Sequence, residues 1–328
     1  MKRTAGLRKP PQLRQGDIIG VVAPAGGVKA EPLQNGVKEL ERLGYRVVLS
    51  DHVLARHRYF AGEHKHRAES LVAFLEDPKI KAVFCARGGY GSNYVVEYLR
   101  SPRILSRLKK LPQKIFMGYS DITTLLVFLH QELGWVSFQG PLVSADFGAG
   151  ESGYNRKVFE QVLSKPSESC VIKTDGFTLR KGIAEGRLIG GCLSIICAGM
   201  GTPEEIDTRD SILLLEDIDE RPYRVDRLLF QLRRAGKLRG VKAVVFGEMV
   251  GCREKGSPAD DLREIIDEAL AGLDIPVVFG VRYAHTTGGC LTLPMGVRAR
   301  LSAGKTVSLT FMESAVEAPK ESKRRAGK

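Results

Sequence analysis

Apolar and polar positions along the first half of the chain fall into blocks typical of alternating strands and helices. Short apolar runs lie at residues 17–23, 46–49, 81–85, 114–118 and 136–139. Between them, apolar residues recur three and four positions apart, which places them on one face of a helix. This alternation predicts an α/β fold, in which a mostly parallel sheet has helices on both faces. Such sheets bind ligands at the carboxyl ends of their strands.

A polar, glycine-containing stretch separates this half from a second apolar block. The second block has apolar runs at residues 212–215, 243–246 and 277–279 and a helical stripe that begins at Val225. These runs predict a second α/β unit with fewer helices and more short strands. We predict two domains and a linker, with these bounds: N-terminal domain 13–165, linker 166–182 and C-terminal domain 183–313.

The net charge of +12 is concentrated at the two ends of the chain. Residues 1–14 carry +5 and residues 313–328 carry +2. Because neither end has an apolar pattern, we predict disordered tails at residues 1–12 and 314–328. The remaining charge is unremarkable for a folded region of this size, and no basic stripe is interleaved with aromatic residues. We therefore expect no nucleic-acid partner.

The apolar stretches and the cysteines point to an ordinary cytoplasmic protein. No stretch approaches the length of a membrane-spanning helix, and the N-terminal residues lack the apolar core of a signal peptide. The six cysteines have no CxxC spacing and mostly lie in apolar runs. They are interpreted as small buried residues, so we expect neither a disulfide framework nor a zinc site. Because no apolar stretch is long enough to span a bilayer, we also expect no membrane partner.

Residues 115–124 contain the strongest candidate for chemistry. An apolar run ends at Gly118, Ser120 follows, and a helical stripe begins at Ile122. A serine at such a strand-to-helix corner has an exposed hydroxyl beside the free N–H groups of the helix start, as a nucleophile requires. Serine is also a common N-cap residue, so this segment alone leaves both roles open.

A nucleophilic serine needs a base, and the base needs an orienting acid. His130 lies roughly 15 Å from Ser120 at the far end of the same helix, which excludes it. His285 follows a predicted strand in a loop of small residues and is the candidate base, although a surface histidine would fit there too. Glu216 directly follows the run 212–215 and is the candidate acid. The acids that follow it leave open a divalent-metal site or a solvated helix start; they are Asp217, Asp219 and Glu220.

The glycine-rich segment 88–92 follows a strand and precedes a helix. Glycines there allow backbone N–H groups to approach a ligand, as in an oxyanion hole or a phosphate site. The segment matches neither the dinucleotide-binding pattern nor the P-loop. Residues 118–122 also lack the second glycine of the G-x-S-x-G elbow, which disfavours an ordinary α/β-hydrolase esterase.

Several segments, taken together and in order, resemble the LD-carboxypeptidase family of serine peptidases. This family includes murein tetrapeptide carboxypeptidases and the microcin C immunity peptidases. The resemblance covers the chain from about Leu13 to Phe311, and the matching segments are residues 16–26, 86–92, 118–123, 190–194, 215–217 with 222–228, and His285 with 293–296.

The resemblance implies a flavodoxin-like N-terminal domain, a smaller β-rich C-terminal domain and an active site in the cleft. It also implies a catalytic triad of Ser120, Glu216 and His285. Family members are usually homodimers, and the resemblance implies neither a metal nor an organic cofactor.

The resemblance further implies an oxyanion hole formed by the backbone N–H groups of Gly88, Gly89 and Asp121. A carboxypeptidase must also hold the terminal carboxylate of its substrate. Arg87 and Arg224 are candidates for that contact by their positions in the matching segments.

We expect a cytoplasmic serine carboxypeptidase that releases terminal D-alanine from muropeptides, its peptide partners, in cell-wall recycling. One alternative is a peptidase of the same family that cleaves a peptide–nucleotide antibiotic conjugate. A second alternative, from another class, is a non-catalytic protein that binds anions or nucleic acid.

Overall fold

The computed structural model describes residues 7–167, 169–254 and 261–318, which form two sheets flanked by helices. The strands are β1 (Ile18–Val22), β2 (Arg46–Leu49), β3 (Ile80–Cys85), β4 (Ile115–Gly118), β5 (Ser137–Gln139), β6 (Cys170–Thr174), β7 (Phe177–Arg180), β8 (Gly182–Cys192), β9 (Ser211–Glu216), β10 (Ala243–Gly247), β11 (Val277–Val281), β12 (Leu293–Met295), β13 (Arg298–Ala303) and β14 (Val307–Phe311). The helices are α1 (Ala30–Arg42), α2 (His64–Glu76), α3 (Ser92–Leu99), α4 (Pro102–Leu108), α5 (Thr123–Leu133), α6 (Arg156–Ser164), α7 (Leu193–Ala198), α8 (Pro222–Arg234) and α9 (Asp261–Ala269). Two 3-10 helices lie at Ser120–Ile122 and Phe147–Ser152.

The first sheet has the order β12-β5-β4-β3-β1-β2 in the described part of the chain. Strands β1 to β5 are parallel and follow the flavodoxin-like order, as the resemblance implied. All residues of β4 and all of β3 except Lys81 are buried, because helices cover both sides of the sheet. Since β1, β3 and β4 are parallel neighbours, the loops that follow them share one edge.

The second sheet has the order β6-β14-β13-β8-β9-β10-β11-β7 over the same described residues. Strands β8 to β11 are parallel, and the strands on either side are antiparallel. Every residue of β9 is buried, which agrees with its continuous apolar run. The second half is thus β-rich, as predicted, and the strand that ends at Glu216 lies near the centre of its sheet.

Strand β12 joins the two halves. It comes from the C-terminal part of the chain but pairs with β5, with Leu293 opposite Gln139. The halves also meet where the Cys192 N–H donates to the Thr123 hydroxyl at 3.1 Å. This contact places the carboxyl end of β8 against the start of α5, close to Ser120.

The segment 166–182, predicted as a linker, contains two strands. Strand β6 pairs with β14, and β7 pairs with β11 at the opposite edge of the second sheet. Both are short edge strands of five and four residues, and neither is buried along its whole length. Their apolar residues are therefore too few to give the strong strand signal of a long apolar run. The division of the chain into the domains 13–165 and 183–313 stays a prediction.

Residues 7–12 and 314–318 pack together at one side of the molecule. The Gln12 N–H donates to the Glu317 carbonyl at 3.0 Å, and the side chain of Val316 is buried. The prediction of disordered tails is therefore wrong for these residues, because backbone pairing between the chain ends orders them without any apolar periodicity. The rest of both predicted tails lies outside the described residues.

The described cysteines are all buried, as predicted from their apolar surroundings. In the described ranges, no helix has the length and apolar character needed to cross a bilayer.

Candidate active site

Ser120 lies at the predicted strand-to-helix corner. Strand β4 ends at Gly118, and a 3-10 helix begins at Ser120 and leads into α5. The backbone of Ser120 has a φ of 66°, a left-handed conformation that is uncommon for residues other than glycine and that concentrates at functional sites. The Ser120 side chain does not cap the helix: among the described residues its hydroxyl has no hydrogen-bond partner. The N-cap interpretation is therefore wrong, and the hydroxyl is free to react.

Glu216 and His285 form a direct pair between two strand ends of the second sheet. Glu216 is the last residue of β9 and is fully buried, whereas His285 lies in the loop after β11. The distance from His285 Nδ1 to Glu216 Oε2 is 2.6 Å. Because a carboxylate only accepts, Nδ1 carries the hydrogen and Nε2 is left as the basic nitrogen.

The pair sets the pKa values of both groups. Burial raises the pKa of the Glu216 carboxyl, and the hydrogen bond to His285 offsets this only in part. Burial alone would lower the pKa of His285, but the hydrogen bond and charge of Glu216 outweigh it and raise the pKa above its ordinary value. The arrangement therefore stabilises a protonated imidazole, the form that a general base acquires during the reaction.

The contact between the serine corner and the Glu216–His285 pair is made by the residue next to Ser120, and among the described residues no hydrogen bond joins Ser120 to His285. Tyr119, the neighbour of Ser120, packs its ring edge-to-face on the His285 ring, with 5.0 Å between centroids. In unliganded sites, catalytic hydrogen bonds are often long and shorten only when substrate binds.

Asp146 lies under this contact and was not among the predicted residues. The Tyr119 hydroxyl donates to Asp146 Oδ1 at 3.5 Å, and the Leu142 N–H donates to Oδ2 at 2.8 Å. Burial raises the pKa of Asp146 to about 6, and its charge helps to raise the pKa of His285. Asp146 lies seven residues beyond the end of β5, in a largely apolar loop, so it carries no strand-end signal that would have selected it from the sequence.

Glu248 holds the loop that carries His285 and was also missed. It follows β10 directly and accepts the Thr287 N–H at 2.7 Å, together with the Thr286 hydroxyl. Ala284, just before His285, has a φ of 56°, so the loop bends sharply at this point. The signal that selected Glu216, an acid after a buried apolar run, is present at Glu248 as well.

The other acids after β9 have separate partners. Asp217 points away from His285 and accepts the Ser194 N–H at 2.8 Å at the start of α7. Glu220 forms an exposed ion pair with Arg224 at 3.4 Å. Asp219 has a φ of 55° in the turn before α8, and its N–H donates to the Val250 carbonyl at 2.8 Å. Among the described residues, no group of histidine, cysteine and acidic side chains has the geometry of a metal site.

The glycine-rich loop contacts Ser120. A Cβ atom added to Gly88 would lie 2.6 Å from the Ser120 Cβ, so only glycine leaves room for the serine. In the described part of the chain, neither the Gly88 nor the Gly89 N–H donates to a protein acceptor. The Asp121 carboxylate accepts the Ser92 N–H at 2.7 Å and so ties the serine corner to the start of α3.

The two candidate arginines lie in different environments. Arg87 precedes the glycines that contact Ser120, and its guanidinium donates to the Gly27 carbonyl at 2.7 Å. Arg224 lies on α8, is exposed, and pairs with Glu220. Of the two candidates, Arg87 is the one that belongs to the loop in contact with Ser120.

The two-sheet α/β scaffold carries the residue types of a serine hydrolase, namely a strained serine and a buried Glu–His pair. Residues 19–140 match the model of the LD-carboxypeptidase N-terminal domain, and residues 185–301 match that of the C-terminal domain. The chain therefore belongs to the LD-carboxypeptidase family.

Individual relatives agree with this assignment. A probable murein peptide carboxypeptidase of Bacillus subtilis is 33% identical over 307 residues, which are 92% of this chain and 93% of the relative. The crystal structure of muramoyltetrapeptide carboxypeptidase from Oxalobacter formigenes is similar with a TM-score of 0.79 and 31% identity, covering 92% of this chain and 100% of that one. An MccF-like protein from Bacillus anthracis is similar with a TM-score of 0.80 and 29% identity, covering 93% and 99%.

Proposed function

We propose that this protein is a serine carboxypeptidase that hydrolyses the L,D-peptide bond before the terminal D-alanine of a muropeptide. The observation that carries the proposal is the 2.6 Å contact of buried Glu216 with His285, beside the strained Ser120 corner. Family membership supports the carboxypeptidase chemistry, and the names of two relatives, a murein peptide carboxypeptidase and a muramoyltetrapeptide carboxypeptidase, support the substrate class.

In the proposed mechanism, His285 Nε2 takes the Ser120 proton as the serine oxygen attacks the scissile carbonyl carbon. Glu216 holds the Nδ1 hydrogen and stabilises the imidazolium that forms. The imidazolium then protonates the leaving nitrogen as the carbon–nitrogen bond breaks, and the free amino acid departs. Water, deprotonated by His285, attacks the acyl-enzyme; the imidazolium returns its proton to the Ser120 oxygen, and the remaining peptide is released.

Negative charge develops on the carbonyl oxygen in both tetrahedral intermediates. We assign its stabilisation to the backbone N–H groups of Gly88, Gly89 and Asp121. The first two have no competing protein acceptor among the described residues, and the third lies at the start of a helical segment, where N–H groups are free. Losing one such donor typically costs about 100- to 1000-fold in rate.

The test is release of D-alanine from a purified muropeptide tetrapeptide. We expect turnover by the wild type and none by Ser120→Ala at equal folded concentration. A peptide–nucleotide conjugate assayed in parallel identifies the antibiotic-cleaving alternative if it is the better substrate. A fluorophosphonate probe distinguishes an enzyme from a non-catalytic binding protein, because only an activated serine reacts with it. Normal turnover by folded Ser120→Ala would rule out the serine mechanism.

We also propose that the enzyme works as a cytoplasmic homodimer in cell-wall recycling. The resemblance to the family supports the dimer, and the location is the one expected from the sequence. Light scattering on the purified protein tests the dimer, and fractionation of the native cells tests the compartment.

A further inference from the structure

An arginine-lined pocket of about 330 Å³ opens beside the glycine-rich loop. Its polar and aromatic lining comes from Arg56, Arg58, Arg87, Tyr59 and Tyr90, and we call it the arginine pocket. Of these five residues, only Arg87 was a candidate from the sequence.

The three arginines bring positive charge that the surrounding protein does not neutralise. All three are exposed, and none is within ion-pair distance of a carboxylate in the described part of the chain. Arg87 donates to a backbone carbonyl, and the Arg58 guanidinium lies over the Tyr59 ring at 5.4 Å from its centroid. Such a cluster attracts an anion, and guanidinium groups bind a carboxylate with two parallel hydrogen bonds.

The pocket is built on a tight hairpin that the neighbouring loop holds in place. His57 and Phe60 exchange two backbone hydrogen bonds of 3.0 and 3.2 Å around the tip that carries Arg58. Arg58 has a φ of 54°, although its side chain is exposed and fills no core position. A positive φ at a residue other than glycine costs free energy, and such residues cluster at binding and catalytic sites. The Gly27 N–H donates to the Tyr59 carbonyl at 3.0 Å and fixes the hairpin to the loop after β1.

The arginine pocket begins next to the candidate nucleophile. Gly89 lines the pocket, and the adjacent Gly88 is in van der Waals contact with Ser120. The Gly26 N–H donates to the Gly88 carbonyl at 2.9 Å, so the pocket wall and the serine contact belong to one connected loop structure. In a substrate whose last residue is released, the terminal carboxylate lies only one residue beyond the scissile carbonyl, and one residue spans about 3.8 Å.

We propose that the arginine pocket binds the terminal carboxylate of the substrate, and that Arg56 and Arg58 share this role with Arg87. This inference rests on the proposed function and adds the residues that restrict the enzyme to chain ends. Arg224, the other candidate, is engaged with Glu220 and lies on α8 rather than on the loops around Ser120.

The test compares two substrates that differ only in the charge of the last residue: a muropeptide tetrapeptide ending in D-alanine and the same peptide ending in D-alaninamide. The wild type should prefer the free acid in kcat/KM. Arg56→Gln and Arg58→Gln should each lower kcat/KM for the acid by about 10- to 100-fold, mainly through KM, because charge-assisted hydrogen bonds are lost. The acid-to-amide ratio of the double variant should fall toward one.

The matched control is Arg46→Gln, which removes an exposed arginine at the amino end of β2, away from the carboxyl-end loops. It should keep the wild-type acid-to-amide ratio. Thermal unfolding of each variant verifies that it is folded. Retention of the wild-type ratio by the folded double variant overturns the inference.

A binding measurement separates this inference from the proposed function. The Ser120→Ala protein is titrated calorimetrically with both peptides, with and without the two arginine substitutions. If the wild type hydrolyses neither peptide but Ser120→Ala binds the acid peptide through Arg56 and Arg58, the pocket assignment stands and the proposed function fails. If binding shows no preference for the acid, or a preference that the substitutions do not change, the pocket assignment is wrong even when the peptidase is active.

Discussion

Glu216 and Asp217 are adjacent, yet their carboxylates serve different parts of the molecule. Successive side chains of a strand point to opposite faces, so only Glu216 is directed to His285, while Asp217 accepts the Ser194 N–H. This alternation assigns the candidate triad acid to one residue in a cluster of four acids.

We expect Glu216→Gln to reduce kcat by as much as about 10,000-fold, because the His285 ring loses the charge that orients it and stabilises its protonated form. Asp219→Asn and Glu220→Gln should cost far less, because neither side chain contacts His285. Turnover of the three purified variants decides the assignment. A nearly normal Glu216→Gln enzyme beside a crippled Asp219→Asn or Glu220→Gln enzyme would place the acid on another residue.

The acid limb of the pH profile should follow His285. The base must be neutral to accept the serine proton, and its pKa is raised above the ordinary value of about 6.5, so kcat/KM should fall as the pH drops through that raised pKa. Asp146→Asn removes a negative charge that favours the imidazolium. The pKa of His285 should then decrease, and the acid limb should move to lower pH by roughly 0.3 to 1 unit.

The measurement is kcat/KM against pH for the wild type, Asp146→Asn and the control Asp210→Asn. Asp210 is exposed and lies at the amino end of β9, remote from the His285 pair, so its removal should leave the limb in place. A limb unchanged in Asp146→Asn, or moved to higher pH, would contradict the electrostatic role of Asp146.

At the scale of elements, the parallel strands β9, β10 and β11 deliver three successive parts of the candidate site to one sheet edge. Glu216 ends β9, Glu248 follows β10, and His285 follows β11. Because parallel strands end at the same edge, residues far apart in sequence become neighbours there. The loop after β11 also needs support, which Glu248 supplies through its bonds to Thr286 and Thr287.

Glu248→Gln should lower kcat by about 10-fold with a smaller effect on KM, since a weakened loop lets His285 leave its productive position. Glu248→Asp, which keeps the charge, should recover part of the loss. The control is Glu254→Gln, an exposed acid that follows the same strand but has no contact with the His285 loop in the described structure. Equal kcat for Glu248→Gln and the wild type would exclude this positioning role.

At the scale of the whole molecule, the two ends of the chain contribute to packing. Residues 7–12 bond to the body through contacts such as Arg8 N–H to the Gly134 carbonyl at 2.7 Å. The guanidinium of Arg8 also lies 6.0 Å from the Trp135 ring centroid. Residues 7–12, whose composition is typical of a disordered tail, therefore pack against the folded body of the protein.

Deletion of residues 1–6 and 319–328 should leave kcat/KM within about two-fold, because both segments lie outside the matched family domains. Deletion extended through residue 12 should lower the melting temperature by a few degrees, because each kcal/mol of lost stability shifts it by about 2–4 °C in a protein of moderate size. Calorimetry and peptide kinetics on both truncations provide the measurements. A large loss of kcat/KM from the shorter deletion would show that a terminal segment assists the active site.

The sequence by itself was enough to predict those elements whose signals are local. Continuous apolar runs predicted the central strands, such as β9, because strands covered on both faces must be apolar throughout. The change from a strand run to helical spacing located Ser120, and the strand end located Glu216. In each case neighbouring residues in the chain carried the information, so no long-range contact was needed.

Only the tertiary structure decided which distant segments meet. Strand β12 pairs with β5 at the edge of the first sheet, and β6 and β7 form the two edges of the second sheet. These pairings were not predictable, because pairing at a sheet edge depends on register and available backbone groups rather than on local hydrophobicity. The same holds for Asp146 under Tyr119 and for the hairpin that brings Arg56 and Arg58 to Arg87. Their local sequences carry no strand-end or helix-start signal, and their importance arises from the charges and side chains that folding places next to them.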